Sequence, residues 1–409
     1  MTGHWRMRVG RADRILTPMA DCGHELEFGY FLVPRADDPS GVLESARLGD
    51  RLGYDVLAVQ GHPYQPAHLG ALSLLGVILA QTERVRVFQD VGNLPLRPPA
   101  AFAKAAATLD LLSDGRFEAG LGAGGFLDAA HAMGAPERTP GQSLEAEEAI
   151  EILRAWWSTT GVLRFDGQHY ALEGARPGPK PAHPIRMWLG AAKRRALALT
   201  GRKANGWAAP LMNYLPPVAA AEAQKVIDEA ALEAGRNPGE IRRIYNVPGS
   251  FTTTAPAPAR DTDESIVGPP EHWAAVLTHL ALDLGFGTFV LLGQPDPDVL
   301  RTFIEDVAPD VRDRVGAARA TRTRGGFRGS IEPIADEGDN GVATTGRDLD
   351  HPGHGLAGAK PRARAGRTRG RDGARRHPGS PLPAPLLWHV VADPDAVSGD
   401  EADHVLHRR

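Results

Sequence analysis

The feature that most constrains this 409-residue chain is an alternation. Between residues 26 and 307 a short apolar run with strand character is followed by a stretch of helical pattern, and the pairing recurs throughout. The runs 26–33, 54–60, 84–91, 116–121, 185–189, 206–209, 241–250 and 288–292 read as strands. The stretches 39–52, 69–81, 98–112, 143–157, 193–203, 218–234, 270–284 and 296–307 read as helices. The first has Ser40 as a candidate N-cap, and the third carries proline in its first turn, where a missing N–H costs nothing. Several strands are almost continuously apolar, as expected when both sheet faces are covered. Eight strand–helix units in roughly 285 residues predict a closed α/β barrel, the (β/α)8 TIM barrel with insertions. A doubly wound open sheet is the alternative, and the absence of an early GxGxxG disfavours it.

Segments outside the alternation set the domain boundaries. Residues 161–172 (GVLRFDGQHYAL) read as a hairpin turning at Asp166-Gly167. Residues 251–267 form a Thr/Ala/Pro-rich loop without periodicity, placed where barrel enzymes carry lids. We expect a disordered N-terminal extension over 1–18, the barrel over 19–312, and a disordered Arg/Gly/Pro-rich C-terminal tail over 313–409. From Arg312 onward there are 17 Lys/Arg against 13 Asp/Glu, whereas the whole chain carries a net charge of −4. The tail has too little apolar surface to offset the entropy of ordering. Its basic run 360–376 lacks aromatic interleaving, so nucleic acid is not the expected partner. The composition of the tail resembles that of a shifted reading frame in GC-rich coding sequence.

Other classes are excluded in turn. The longest apolar stretch, 71–80, falls short of the roughly 20 residues of a membrane span. Residues 1–10 lack the apolar core of a secretory signal, so a cytoplasmic protein is expected. The single Cys22 rules out a disulfide framework and a cysteine-cluster metal site. No HExxH or comparable spacing suggests a metal, and no GxSxG a serine hydrolase.

In a barrel of this kind chemistry sits at the C-terminal strand ends. His62, after the second strand, is the candidate for proton transfer because imidazole titrates near neutrality; the alternative is a histidine that merely caps the strand. The glycine-rich turn 120–125 and the loop 188–195, with Lys193, Arg194 and Arg195, have the chemistry of anion sites, or of tight turns with solvated basic residues. Trp188 divides between barrel packing and a site wall, Trp156 and Trp157 read as packing, and His68, His131, His169 and His183 rank lower, in loops or helices without paired ligands.

The segment VRVFQDVGNLPLRPPAAFAKAAATLDLLSDGRFEAGLGAGG (85–125), the hairpin FDGQHYAL, the loop WLGA and the helix start IVGPPEHW together resemble the bacterial luciferase-like superfamily of flavin-dependent oxidoreductases. The resemblance runs from about residue 25 to 312. It implies FMN, or a deazaflavin coenzyme, at the C-terminal face of the barrel. It places ring contacts at His62 and at Val91, Gly92 and Asn93, further contacts at Ala123, Gly124 and Asp128, and the phosphate side at Gly190 and Ala191. It also implies a non-proline cis peptide at Asp90–Val91 or at Val91–Gly92. Two departures stand out: Gly61 and Gly125 occupy positions where relatives carry acids, the second in deazaflavin-dependent sugar dehydrogenases. The implied activity is a monooxygenase using reduced flavin and oxygen on a small organic substrate, with a flavin reductase as partner and a homodimeric assembly. The alternatives are deazaflavin-dependent hydride transfer and a flavin-binding protein without turnover.

Overall fold

The computed structural model describes residues 21–124, 126–136, 144–254, 259–292 and 296–326. The expected extension over 1–18, Gly125 and the tail beyond 326 lie outside the described residues. Strands β1 (Glu27–Leu32), β2 (Val56–Val59), β3 (Arg86–Gln89), β4 (Phe117–Gly122), β5 (Met187–Gly190), β6 (Gly206–Ala209), β7 (Arg242–Phe251) and β8 (Thr288–Leu292) pair in parallel in that order. The circle closes where Glu27 to Tyr30 pair with Thr288 to Leu291. Around it run α1 (Pro39–Leu52), α2 (Ala71–Gln81), α3 (Pro99–Leu112), α4 (Leu144–Ser158), α5 (Arg194–Lys203), α6 (Pro217–Glu233), α7 (Pro270–Leu282) and α8 (Pro297–Thr302). This is the (β/α)8 barrel. Among the described residues no helix is long and apolar enough to cross a membrane.

Strand alternation sorts the side chains into two cores. One set packs the strands against the helices; the other, Phe31, Val56, Ala58, Phe88, Trp188, Ile244 and Val290, fills the barrel interior. Trp188 is fully buried there, edge-on to Phe88 at 4.8 Å, so it belongs to the packed interior. Two residues nearer the N-terminal ends, the same inward face carries charge. Arg86 pairs with Glu27 at 2.7 Å, Arg242 with Glu27 at 3.1 Å, and Arg186 Nε donates to Glu118 at 2.7 Å. Charges buried this deeply persist only when paired, and here each has an opposite neighbour. The barrel bottom is thus an ionic plug, and only the upper end is free for chemistry.

The structure departs from sequence expectation at several joints. The cap of α1 is Asp38, whose Oδ1 accepts from the Gly41 N–H at 2.9 Å; Ser40 lies inside the first turn because Pro39 already starts the helix. The hairpin joins Leu163–Asp166 to Ala171–Ala175 through residues 167–170, not through a two-residue turn at Asp166-Gly167. Glu148 on α4 accepts the backbone N–H groups of Gln168, His169 and Tyr170 at 2.7–3.0 Å, which fixes the longer loop. The ordered body also continues past Arg312, in a helix Ala308–Gly326. Val311 and Val315 bury one stripe of it, while Arg312 pairs with Asp55 at 2.9 Å and lies 4.7 Å above the Phe28 ring. The expected boundary fell short because this helix is mostly polar and shows only that narrow stripe. The short helix Leu127–Ala132 was likewise not apparent in the sequence.

Candidate active site

At the upper end of β3 the chain leaves the ladder at Gln89, passes through a cis peptide bond at Asp90–Val91, and rejoins β4 where Gly92 and Asn93 pair with Leu121 and Gly122. This is the first of the two positions expected. Neighbouring strands approach the bulge with bare backbone. A Cβ at Gly61 would lie 2.2 Å from the Val91 carbonyl oxygen, so any side chain there is excluded. A Cβ at Gly122 or at Gly190 would lie 2.7 Å from Val91 Cγ2. The Val91 side chain therefore sits in a slot between the ends of β4 and β5, and Gly92, Gly122 and Gly190 surround it.

His62 follows β2 beside this bulge. Gln60 Nε2 donates to its Nδ1 at 3.0 Å, which leaves the proton of the neutral ring on Nε2. Burial, with His68 as a smaller contributor, lowers the His62 pKa, so the ring is neutral around pH 7. Tyr64 stacks on it at 5.4 Å and Phe126 meets it at a steep angle at 5.6 Å, the two rings themselves 5.5 Å apart, so the three form one aromatic cluster. The imidazole is thus held as a hydrogen-bond donor in an aromatic wall. Nothing in the sequence pattern marked Gln60, Tyr64 or Phe126 for this role.

The remaining expected residues divide. Asn93 is half-buried, and its Oδ1 is enclosed without a hydrogen-bond partner. Gly124 adopts φ +88°, a conformation that favours glycine, and turns the chain beside Pro95 and Asn93. Ala123 is exposed, and Asp128 is exposed in the first turn of Leu127–Ala132. Gly190 is half-buried, but Ala191 is buried and its carbonyl accepts the Trp207 indole N–H at 2.9 Å. Ala191 therefore ties the loop after β5 to strand β6. Lys193, Arg194 and Arg195 are exposed around the start of α5. A separate cavity of about 630 Å³, with Met212, His272 and His279 in its wall, lies between the loop before α7 and the start of α6. None of the residues just described lines it.

Two functional candidates lie on the inward face above the packed interior and were not expected from the sequence. Asp90 follows Phe88 at the alternating spacing, and Asn246 follows Ile244 on β7. Burial pushes the Asp90 carboxyl up to about 6, while a hydrogen bond from Asn246 pulls the other way. The signal available in the sequence was a carboxylate in phase with an apolar strand.

His183 also needs correction. Its Nδ1 contacts Asp110 Oδ1 at 2.6 Å and its Nε2 lies 3.6 Å from Glu118, at the opposite end of the barrel from His62. These partners raise its pKa to about 9, making it part of the ionic plug.

The fold and the site are those of a closed (β/α)8 barrel with a glycine-flanked β-bulge and a neutral histidine at its upper end. The chain belongs to the luciferase-like monooxygenase family, whose model matches residues 26–347, and enzymes of this family are oxidoreductases. It is 24% identical over 294 residues to an F420-dependent glucose-6-phosphate dehydrogenase of Microbacterium testaceum, spanning 68% of this chain and 87% of the relative. In fold it is similar to an F420-dependent secondary alcohol dehydrogenase, solved with an F420–acetone adduct (TM-score 0.62, 20% identity, 71% of this chain and 100% of the other). It is also similar to the monooxygenase RslO1 of Streptomyces bottropensis (TM-score 0.59, 18% identity, 69% and 99%).

Proposed function

We propose that this chain is an oxidoreductase that holds a deazaflavin coenzyme against the Asp90–Val91 bulge and moves hydride between it and a small organic substrate. The observation that carries the proposal is the glycine-lined platform. Gly61, Gly92, Gly122 and Gly190 let the ends of β2, β4 and β5 close tightly on the bulge, which packs it firmly as a support for a flat ring. The enclosed Asn93 Oδ1 is an acceptor suited to a ring N–H, so the residues present fit a flavin-type ring. The choice of deazaflavin rests on the sequence relative of Microbacterium testaceum, aligned over most of its length. Sugar-phosphate oxidation is not part of the proposal, because Gly125 replaces the acid of the sugar dehydrogenases.

Bound coenzyme supplies a ring carbon that accepts or donates hydride. Val91, Gly92 and Asn93 would support the ring, with Gly124 shaping the adjacent turn and the exposed Ala123 and Asp128 flanking it, and Gly190 would lie toward the phosphate. His62, its ring fixed by Gln60, Tyr64 and Phe126, would offer its Nε2–H to an oxygen of the reacting group. The aromatic pair narrows access of water to that hydrogen bond.

A second reading, a monooxygenase using reduced FMN with a flavin reductase as partner, is favoured by the same glycine at position 125. Absorbance and fluorescence titrations with coenzyme F420 and with FMN decide between them. Preferential F420 binding, followed by bleaching of its absorbance with substrate under anaerobic conditions, is the expected result. Preferential FMN binding with substrate-linked oxygen uptake would replace the first reading by the second.

A further inference from the structure

The segment between β7 and α7 is anchored at both ends on one strand. Residues 266–268 return to pair in parallel with Gly249, Ser250 and Phe251, and the Thr252 N–H donates to the Gly268 carbonyl at 3.1 Å. From these fixed ends the described residues 259–265 reach α6 and α7 as a strap. The Asp261 carbonyl accepts the Val218 N–H of α6 at 2.8 Å, and the Arg260 N–H donates to Asp263 Oδ2 at 2.8 Å within the strap's own turn. The strap forms one wall of the cavity of about 630 Å³. The rest of that cavity is largely apolar, with Met212, Ile266, Val276 and Leu280 all buried.

His279 on α7 fastens the strap by its side chain. Its Nε2 lies 2.9 Å from Asp261 Oδ1 and its Nδ1 2.7 Å from Asp283 Oδ2. Ionised carboxylates only accept, so both contacts are hydrogen bonds only while both ring nitrogens carry protons. A neutral ring has one N–H to offer, and its bare nitrogen would then face a carboxylate oxygen. Asp283 is held close by its own N–H, which donates to the His279 carbonyl at 2.9 Å, so the contact that yields is the one to Asp261. Burial works against the charge on His279, but the bonds to Asp261 and then Asp283 outweigh it, and its pKa is raised. The other charged or titratable groups of the cavity wall are Arg260 and Asp263 on the strap and His272 on α7; α6 and the loop after β6 supply Pro217 and Met212.

We propose that His279 is a protonation latch: its imidazolium ties residues 259–265 to α7, and its deprotonation frees Asp261 and lets the strap lift from the apolar cavity. The device stands apart from the coenzyme reading, because none of its groups belongs to the upper barrel site. Its sign follows from the raised pKa. The latch is complete below about pH 6.5 and is lost as pH rises through the higher folded value.

The test is hydrogen exchange read by mass spectrometry on the whole protein at pH 5.5, 7 and 8.5, with rates corrected for the intrinsic effect of pH. The imidazole is 44% exposed and its partners 55% and 56%, so the latch has the strength of an exposed ion pair. Protection of peptides covering 259–265 and Val218 should therefore fall about threefold between pH 5.5 and 8.5. H279Q, which carries no charge, should be loose at every pH and show no step. D283N removes the competing carboxylate, so a neutral His279 keeps its one proton for Asp261, and the strap should stay protected at pH 8.5. The absence of a step in the parent, a step of equal size in H279Q, or a D283N strap that loosens as the parent's does would each overturn the proposal.

Discussion

The ionic plug makes a quantitative prediction through His183. Its imidazole lies between Asp110 and Glu118, and its pKa is raised from 6.5 to about 9. The hydrogen bond to Asp110 is the largest cause and the contact with Glu118 the next; burial opposes both. Because the folded value is raised, the contribution to stability is fully present below about pH 6.5. It declines as pH rises and is lost as pH passes through about 9. Two and a half units at about 1.36 kcal/mol each come to roughly 3 kcal/mol. The ring is 27% exposed, so solvent screening brings the expectation to about 2 kcal/mol. Urea unfolding of the parent and H183Q at pH 6, 8 and 10 measures this directly. H183Q should be less stable by about 2 kcal/mol at pH 6, with a gap that shrinks at pH 8 and nearly closes at pH 10. A gap that stays constant from pH 6 to pH 10 would refute the charged-imidazole account and leave only a packing role.

Three further outcomes follow from the site and its support. His62→Ala should reduce turnover about 10²–10⁴-fold while changing coenzyme affinity little, as separate equilibrium titration and rapid-reaction measurements would reveal. Gly61→Ala forces a Cβ against the Val91 carbonyl, and coenzyme affinity should fall about tenfold, equivalent to ~1.4 kcal/mol, in the same titration. Arg243 is buried and paired with Asp228 and Gln224; Arg243→Ala removes the cation from a buried carboxylate and should cost about 3–5 kcal/mol in chemical denaturation.

The sequence alone determined the barrel. Its apolar runs and helical stretches recur at a spacing that fixes each element's identity locally, and a parallel strand buried on both faces leaves few other packings. The position of His62 was legible too, because a strand end is a place in the chain before it is a place in space; that of the β3 bulge came from the family resemblance. Tertiary structure decided what those positions do. Gly61 looked like a missing acid, yet the nearby Val91 carbonyl leaves room for nothing larger. His183 looked unpartnered because Asp110 and Glu118 lie 73 and 65 residues away and meet it only when the barrel closes. The helix after Ala308 offered too narrow an apolar stripe to be read without the surface it covers. Asp90 and Asn246, on strands far apart in sequence, meet because closing a sheet into a barrel brings inward side chains of non-adjacent strands together, and no local pattern encodes that.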